Sequence, residues 1–185
     1  NIISGNSKTG VQMQDAGTNG NQVLGNFIGT DITGQIPLDN KLGIGIASDP
    51  NSEEIGPTNN LIGGAAEAAR NIISGNRTYG IEIYGPQSTN NRIEGNYIGP
   101  NVDGTASLGN GSGIVIARGP HHNTIGGVQS SSGNLISGNS NLGIGILGSE
   151  SLMTTDNLVQ GNYIGTDVSG TVPLPNEEGI AIRGN

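Results

Sequence analysis

The chain has 185 residues, of which 34 are glycine, five are aromatic, and none is cysteine or tryptophan. The lack of cysteine excludes disulfides, thiolate metal sites and thiol catalysis. A net charge of −8, with only seven lysines and arginines, argues against nucleic acid or anionic lipid as a partner, and no apolar run is long enough to span a membrane.

Isoleucine (24 copies) outnumbers leucine (11 copies), and this β-branched bias favours strands over helices. At this length we expect one domain over residues 1–185. The sequence opens at Asn1 without an initiator methionine or a signal-peptide pattern, so we interpret it as a mature product or a piece of a longer chain.

Taken in chain order, the sequence consists of internal repeats. NIISGN at 1–6 and 71–76 and NLISGN at 134–139 alternate with GNFIGTD at 25–31, GNYIGPN at 95–101 and GNYIGTD at 161–167. Each unit closes with a Gly-apolar-x-apolar tetrad, and the six tetrads begin at Gly10, Gly43, Gly80, Gly113, Gly143 and Gly179.

Each full unit contains three strand-like runs, and an asparagine introduces each of them. The first runs begin at Asn21, Asn60, Asn91, Asn123 and Asn157, and the second runs begin at Asn1, Asn26, Asn71, Asn96, Asn134 and Asn162. The tetrad is the third run. From second-run asparagine to tetrad glycine, units one, three and five have 9 residues, whereas units two, four and six have 17. Two unit types therefore alternate along the chain.

Two-residue alternation places every other residue of each run on one face. The inward residues form columns if each unit lies on the previous one; one such column is Ile3, Ile28, Ile73, Ile98, Ile136 and Ile164. This arrangement buries the apolar residues and pairs each strand with its neighbours. The sequence therefore predicts an all-β parallel solenoid of about six triangular coils with uncapped ends.

The recurring asparagines suit the corners, because asparagine tolerates left-handed backbone and bonds its own turn. Stacked amides also form hydrogen-bonded ladders. We predict a structural ladder of Asn1, Asn26, Asn71, Asn96, Asn134 and Asn162.

These motifs carry a resemblance to a known family. The chain resembles the parallel β-helix repeat proteins of the pectin-lyase-like superfamily, above all the variety found in large secreted or surface-attached bacterial proteins, whose units read NxIGG…NIISGN…GIxI…NxIxGNYIGTDxxGT. Residues 60–116 and 123–182 follow that scheme. The resemblance implies a right-handed β-helix. It does not fix the function, because lyases, hydrolases, epimerases, adhesins and surface proteins share the scaffold.

Long loops follow the second run in the even units, at 30–40, 100–110 and 166–176. Asp31 and Asp167 occupy equivalent loop positions, and Asn101 takes this position in the fourth unit. These carboxylates are weak candidate calcium ligands; we favour an Asx-turn in which the side chain closes its own loop, because it accommodates Asn101 better and the sites lie too far apart to share one calcium.

An apolar stripe points outward from the second runs and comprises Ile2, Phe27, Ile72, Tyr97, Leu135 and Tyr163. Exposed, such a stripe marks a contact surface. We expect instead that the long loops fold over it and present Leu38, Leu108 and Leu174.

No catalytic residue is assigned, since neither a carboxylate pair on neighbouring coils nor a basic and acidic lyase cluster is recognised. Arg92 and Glu94 are interpreted as a solvated pair, and His121 and His122 as a solvated loop. If the chain has a catalytic or glycan-binding function, we expect it at the variable third corner, around 47–59 and 118–123, and loss of turnover on mutating Glu82 or Arg92 would indicate it.

The regular repeat, the uncapped ends and the lack of a catalytic cluster favour a structural extracellular or bacterial cell-surface protein, such as part of a fibre, sheath or stalk. We expect it to associate with itself end to end, and its low charge also permits side-by-side packing. The alternative is a carbohydrate-active enzyme, or a glycan-binding or adhesin module, acting on a polysaccharide.

Overall fold

The computed structural model describes residues 1–129 and 131–184. Over these residues it contains seventeen strands and one 3₁₀ turn (Glu67–Ala69), but no α-helix. Correspondingly, this part of the chain offers no helix long and apolar enough to cross a membrane.

The strands form three sheets, and every pairing between named strands is parallel. Sheet I contains the first runs: β3 (Gln22–Val23), β6 (Leu61–Gly63), β9 (Arg92–Glu94), β12 (Thr124–Gly126) and β15 (Leu158–Gln160). Sheet II contains the second runs: β1 (Ile2–Ile3), β4 (Phe27–Ile28), β7 (Ile72–Ile73), β10 (Tyr97–Ile98), β13 (Leu135–Ile136) and β16 (Tyr163–Ile164). Sheet III contains the tetrads: β2 (Thr9–Gln14), β5 (Leu42–Ala47), β8 (Tyr79–Tyr84), β11 (Ser112–Ala117), β14 (Leu142–Leu147) and β17 (Glu178–Arg183).

In each sheet, every strand pairs with the equivalent strand of the next unit. The chain is therefore a parallel β-solenoid of about five turns, which confirms the predicted fold class. We number the coils by their tetrads: coil 1 contains β1 and β2, and each later coil contributes one strand to every sheet.

Isoleucine columns fill the interior. The register aligns Ile3, Ile28, Ile73, Ile98, Ile136 and Ile164, as predicted. The largest fully buried side chains are all isoleucines, such as Ile62, Ile98 and Ile116. Each contributes about 1.5–3 kcal/mol of burial free energy, so the columns supply the main stabilisation of the stack.

Asparagine ladders run along all three corners. In the second-run ladder, each Nδ2 donates to the Oδ1 of the equivalent asparagine in the next coil, over 2.8–3.0 Å, from Asn1 through Asn162. A ladder before the tetrads joins Asn6, Asn40, Asn76, Asn110, Asn139 and Asn176. A ladder at the first runs joins Asn21, Asn60, Asn91, Asn123 and Asn157. The ladders satisfy buried amides that would otherwise be costly.

The alternation of unit types has a physical cause at the end of the second runs. Ser74 of coil 3 accepts a hydrogen bond from the Gly99 N–H (3.0 Å) and donates one to the Pro100 carbonyl (2.7 Å) of coil 4. Ser4 of coil 1 makes the same pair of bonds to coil 2. The Ser-Gly-Asn of an odd coil therefore complements the Gly-Thr or Gly-Pro of the even coil above it.

The long loops form a second hydrogen-bonded layer over sheet II. Adjacent long loops contact each other across the intervening odd coil, with the Val102 N–H donating to the Gly34 carbonyl (3.1 Å) and the Val168 N–H to the Gly104 carbonyl (2.9 Å). Because the loops bridge two coils, they also cover the outward side chains of the odd coils.

The predicted cover over the apolar stripe exists at its centre, but the predicted leucines do not supply it. Ile72, Tyr97 and Leu135 are buried, and Val102 is the long-loop side chain packed against them. Leu38 is 48% exposed. The assignment of the cover to Leu38, Leu108 and Leu174 is therefore wrong, because the loop turns its valine toward sheet II.

Apolar residues are exposed at both ends of the stack. Ile2 and Tyr163 of the stripe are about half exposed, and Ile180 and Ile182 of the tetrad column are 47% and 75% exposed. In the middle coils the equivalent tetrad isoleucines, such as Ile114 and Ile116, are fully buried.

Candidate functional site

The outer surface of sheet III has one ionisable group near its centre. Glu82 on β8 lies beside Gly45 of β5 and Val115 of β11, with Tyr79 and Tyr84 at the two ends of its strand. The side chain is half-buried, and desolvation raises the pKa of Glu82. A carboxyl group between two tyrosines on a flat face suits contact with a hydroxylated ligand, because aromatic rings and carboxylates supply both stacking and hydrogen bonds.

A second candidate is a cleft of about 230 Å³ on the outer surface of sheet I. Arg92 Nε donates to Glu94 Oε1 over 2.7 Å, and Thr124 and Gln160 from the next two coils line the same cleft. The arginine side chain is 59% exposed, whereas that of Glu94 is only 10% exposed. The two residues are paired as expected, but the expected solvation holds for the arginine alone.

A loop covers Glu94, and the alternation of residues in the strands does not predict how this loop folds. The loop after β12 folds against the end of β9, where the Gly95 N–H donates to the Ser132 carbonyl over 3.0 Å. Gly127, Val128 and Gln129 of the same loop line the cleft.

The third corner contains an acidic cavity of about 210 Å³, lined by Asp15, Asp49 and Glu54 with Ser48 and Ser52. This cavity lies in the longest predicted excursion, 47–59. Within residues 1–129 and 131–184, no group of three or more histidine, cysteine, aspartate or glutamate side chains is arranged to hold a metal ion.

The long-loop aspartates close their own loops. Asp31 accepts hydrogen bonds from the Thr33 hydroxyl (2.8 and 2.7 Å) and from the Gln35 and Ile36 N–H groups. These bonds, chiefly that from Thr33, lower the pKa of Asp31, and Ser169 does the same for Asp167. Asn101 Oδ1 accepts from the Thr105 and Ala106 N–H groups in the same way.

Asp31 and Asp167 therefore form the Asx-turns that were the alternative to a role as calcium ligands. The two residues lie on coils 2 and 6, about 19 Å apart at the strand spacing, so they do not form one site. Calcium binding at either residue stays a prediction.

Sequence reasoning also missed a cation–π contact beside the stripe. The Arg70 guanidinium carbon lies 4.3 Å from the Tyr97 ring centroid, and Arg70 Nε donates to the Gly95 carbonyl at 3.4 Å. The short loop that ends at Arg70 therefore shields one flank of the stripe while Val102 shields the other. No motif signalled this contact, because it depends on how the loop is folded.

No protein-family model, curated protein or solved structure matches this chain. The resemblance to the pectin-lyase-like superfamily consequently depends on the repeat motifs. What is established is a parallel β-solenoid with asparagine ladders.

Proposed function

We propose that the chain is a structural rod segment of an extracellular or bacterial cell-surface assembly, in which further coils continue the solenoid at its two edges. The added coils come from a second copy stacked end to end or from the same polypeptide. The observation that carries this proposal is the common direction of the three ladders.

Every ladder bond points toward the C-terminal coil, from an Nδ2 donor to an Oδ1 acceptor. The two edges are therefore different and complementary: the first coils offer Oδ1 acceptors at Asn1 and Asn6, and the last coil offers amide donors at Asn162 and Asn176. Head-to-tail contacts of this heterologous kind extend without closing into a ring.

The two-coil alternation supports the same arrangement. Coil 6 is an even coil, so an odd coil is the type that fits above it. If coil 1 of a second copy follows coil 6, the next long loop lies two coils away. The Ile32 N–H of that loop then lies where it can donate to the Gly170 carbonyl, as Val102 donates to Gly34 and Val168 to Gly104.

The exposed edge provides a driving force. Ile182, at 75% exposure, becomes buried once a coil covers it, and complete burial of one such side chain contributes about 1.5–3 kcal/mol. Low charge density, with 12% charged residues, limits repulsion between stacked copies.

Electron microscopy and fibre diffraction of the concentrated protein test the proposal. We expect filaments with an axial reflection at about 4.8 Å, the spacing of stacked strands. Ile182→Asp places a charge on the edge and should shorten or abolish the filaments. Val128→Asp is the matched control, since Val128 is 85% exposed on the side of the solenoid. Monodisperse monomers at all concentrations, or equal filament loss in both variants, contradict end-to-end stacking.

A second candidate function, a glycan-binding or carbohydrate-active module, is favoured by the Tyr79–Glu82–Tyr84 face. A screen against neutral and acidic polysaccharides, with detection of reducing ends and of unsaturated products by absorbance, separates binding from cleavage. Loss of binding in Tyr84→Ala, or of turnover in Glu82→Gln, supports this candidate. Failure of the wild-type protein to bind any tested glycan removes it.

A further inference from the structure

Two histidines that are adjacent in sequence, His121 and His122, lie in the third corner with their Nδ1 atoms pointing at each other. His121 Nδ1 and His122 Nδ1 are 2.6 Å apart, and the rings meet edge to face at an interplanar angle of 80°. One of these nitrogens must carry a proton and the other must accept it, because two unprotonated nitrogens would repel. The two Nδ1 atoms therefore converge on one point between the rings.

The backbone at His122 produces this convergence. Each first-run asparagine of the ladder is preceded by a residue with left-handed backbone: Gly20, Asn59, Asn90, His122 and Asp156, with φ between 54° and 68°. Glycine adopts this conformation freely, and asparagine, aspartate and histidine tolerate it. At this corner it places the His122 ring against the ring of its neighbour His121.

We propose that His121 and His122 together bind a borderline divalent transition-metal ion such as Zn²⁺ through their two Nδ1 atoms; the proton on the donor Nδ1 moves to Nε2 of the same ring, so both imidazoles stay neutral. Neutral imidazole is a preferred ligand of zinc, nickel and copper, whereas calcium and magnesium prefer oxygen. With zinc–nitrogen bonds of about 2.0–2.1 Å, two nitrogens on one ion lie about 3.3 Å apart at a tetrahedral angle. A small rotation of the rings provides that separation.

The surroundings leave room for further ligands. His122 is exposed and His121 half-buried, so water reaches the ion. Asp156 occupies the equivalent position in the next coil, about 4.8 Å along the axis, because Asn123 and Asn157 are ladder partners. Its carboxylate is exposed, but among the described residues it does not join the two imidazoles in a group of three ligands, so the site consists of the two histidines. The site is thus an open one, with two imidazoles and solvent in its basal form.

Calorimetric titration with ZnCl₂ tests the proposal on the whole chain. We expect one Zn²⁺ per chain and a rise in thermal midpoint that follows from binding to the folded state. His122→Asn is the informative variant because Asn59 and Asn90 occupy the same corner in other coils, so this variant folds. His122→Asn and His121→Gln should each weaken zinc binding at least tenfold.

Asn59→Asp is the matched control, since it places a carboxylate at the same corner two coils away from His122 and leaves both histidines intact. Binding in this control should match that of the wild type within threefold. Nitrogen-detected NMR locates the ion independently, because zinc should shift the Nδ1 resonances of both histidines. Full zinc affinity in His122→Asn with an unchanged fold, absence of binding at millimolar zinc, or unshifted Nδ1 resonances each overturns the proposal.

Discussion

Asn71 and Asn96 are joined by a buried amide–amide hydrogen bond of 2.8 Å across two coils, and the Asn71 backbone N–H donates to the same Asn96 oxygen over 3.2 Å. Asn96 in turn donates to Asn134 Oδ1 (3.0 Å) and to the Ile62 carbonyl (2.9 Å). One side chain therefore hydrogen-bonds to buried groups of both neighbouring coils. A solenoid that lacks α-helices and disulfides depends on such contacts to fix the register of its corners.

Replacing Asn96 with leucine should be strongly destabilising. The new side chain has similar volume, but it leaves the Asn71 backbone N–H without its acceptor and removes one hydrogen bond each from Asn71 Nδ2, Asn134 Oδ1 and the Ile62 carbonyl. Each unsatisfied buried group costs about 1–3 kcal/mol, so we expect a loss of about 3–5 kcal/mol in the free energy of unfolding, measured by urea denaturation. Asn1→Leu is the control at the exposed end of the same ladder and should cost less than about 1 kcal/mol. Equal losses of unfolding free energy in the two variants would show that burial does not increase the contribution of a ladder asparagine to stability.

The core columns and ladders could be predicted because each coil repeats the same environment. Ile28 and Ile98 occupy the same step of a two-residue alternation, and an asparagine precedes each of their strands. The side-chain orientation inferred for one coil therefore holds for the equivalent residues of the others. The periodicity of the strands therefore determined which residues stack.

The loops could not be predicted in this way. Leu108 and Val102 both recur in the three long loops as apolar residues, and recurrence alone does not tell which one faces sheet II. Glu94 alternates like a solvent-facing residue, but the loop containing Ser132 covers it. Loop conformation depends on local turn hydrogen bonds such as those of Asp31, and hydrophobic periodicity does not report these.

The cover over the stripe gives a second test. Val102→Asp places a carboxylate against Tyr97 and Leu135, and we expect a loss of about 2 kcal/mol in the free energy of unfolding because the charge is partly desolvated. Ile32 occupies the equivalent position in coil 2 but is 71% exposed. Ile32→Asp should therefore change stability by less than about 0.5 kcal/mol. If both variants behave alike in thermal and urea denaturation, the long loops do not pack on sheet II in solution.

The lowered pKa of Asp31 predicts an acid-sensitive loop. Because the folded-state pKa lies below the ordinary value of 3.8, its contribution to stability is present above that value and is lost as the pH falls through the folded pKa. Asp31→Asn mimics Asn101, which keeps the acceptor for the loop N–H groups without a charge. We expect the free energy of unfolding of the variant to match that of the wild type at pH 7 and to exceed it below about pH 3.5.

Carbon-detected NMR titration of the Asp31 carboxyl measures that folded-state pKa directly. A normal pKa for Asp31, or acid sensitivity that persists unchanged in Asp31→Asn, would contradict the loop-closing role.

Glu82 should show the opposite pH dependence. Burial raises its folded-state pKa above the ordinary 4.5, so the folded state favours the protonated form. The associated stability is fully present below pH 4.5 and declines as the pH rises through the folded-state pKa. Glu82→Gln removes the ionisation while keeping the shape, and we expect it to stabilise the protein at pH 7 by about 0.5 kcal/mol, a small value because solvent screens a half-exposed group. At pH 3 the variant and the wild type should have equal thermal midpoints. A variant that is less stable at pH 7 would show that the ionised carboxylate is held by favourable contacts, and would strengthen the case that the Tyr79–Glu82–Tyr84 face presents a charge to a ligand.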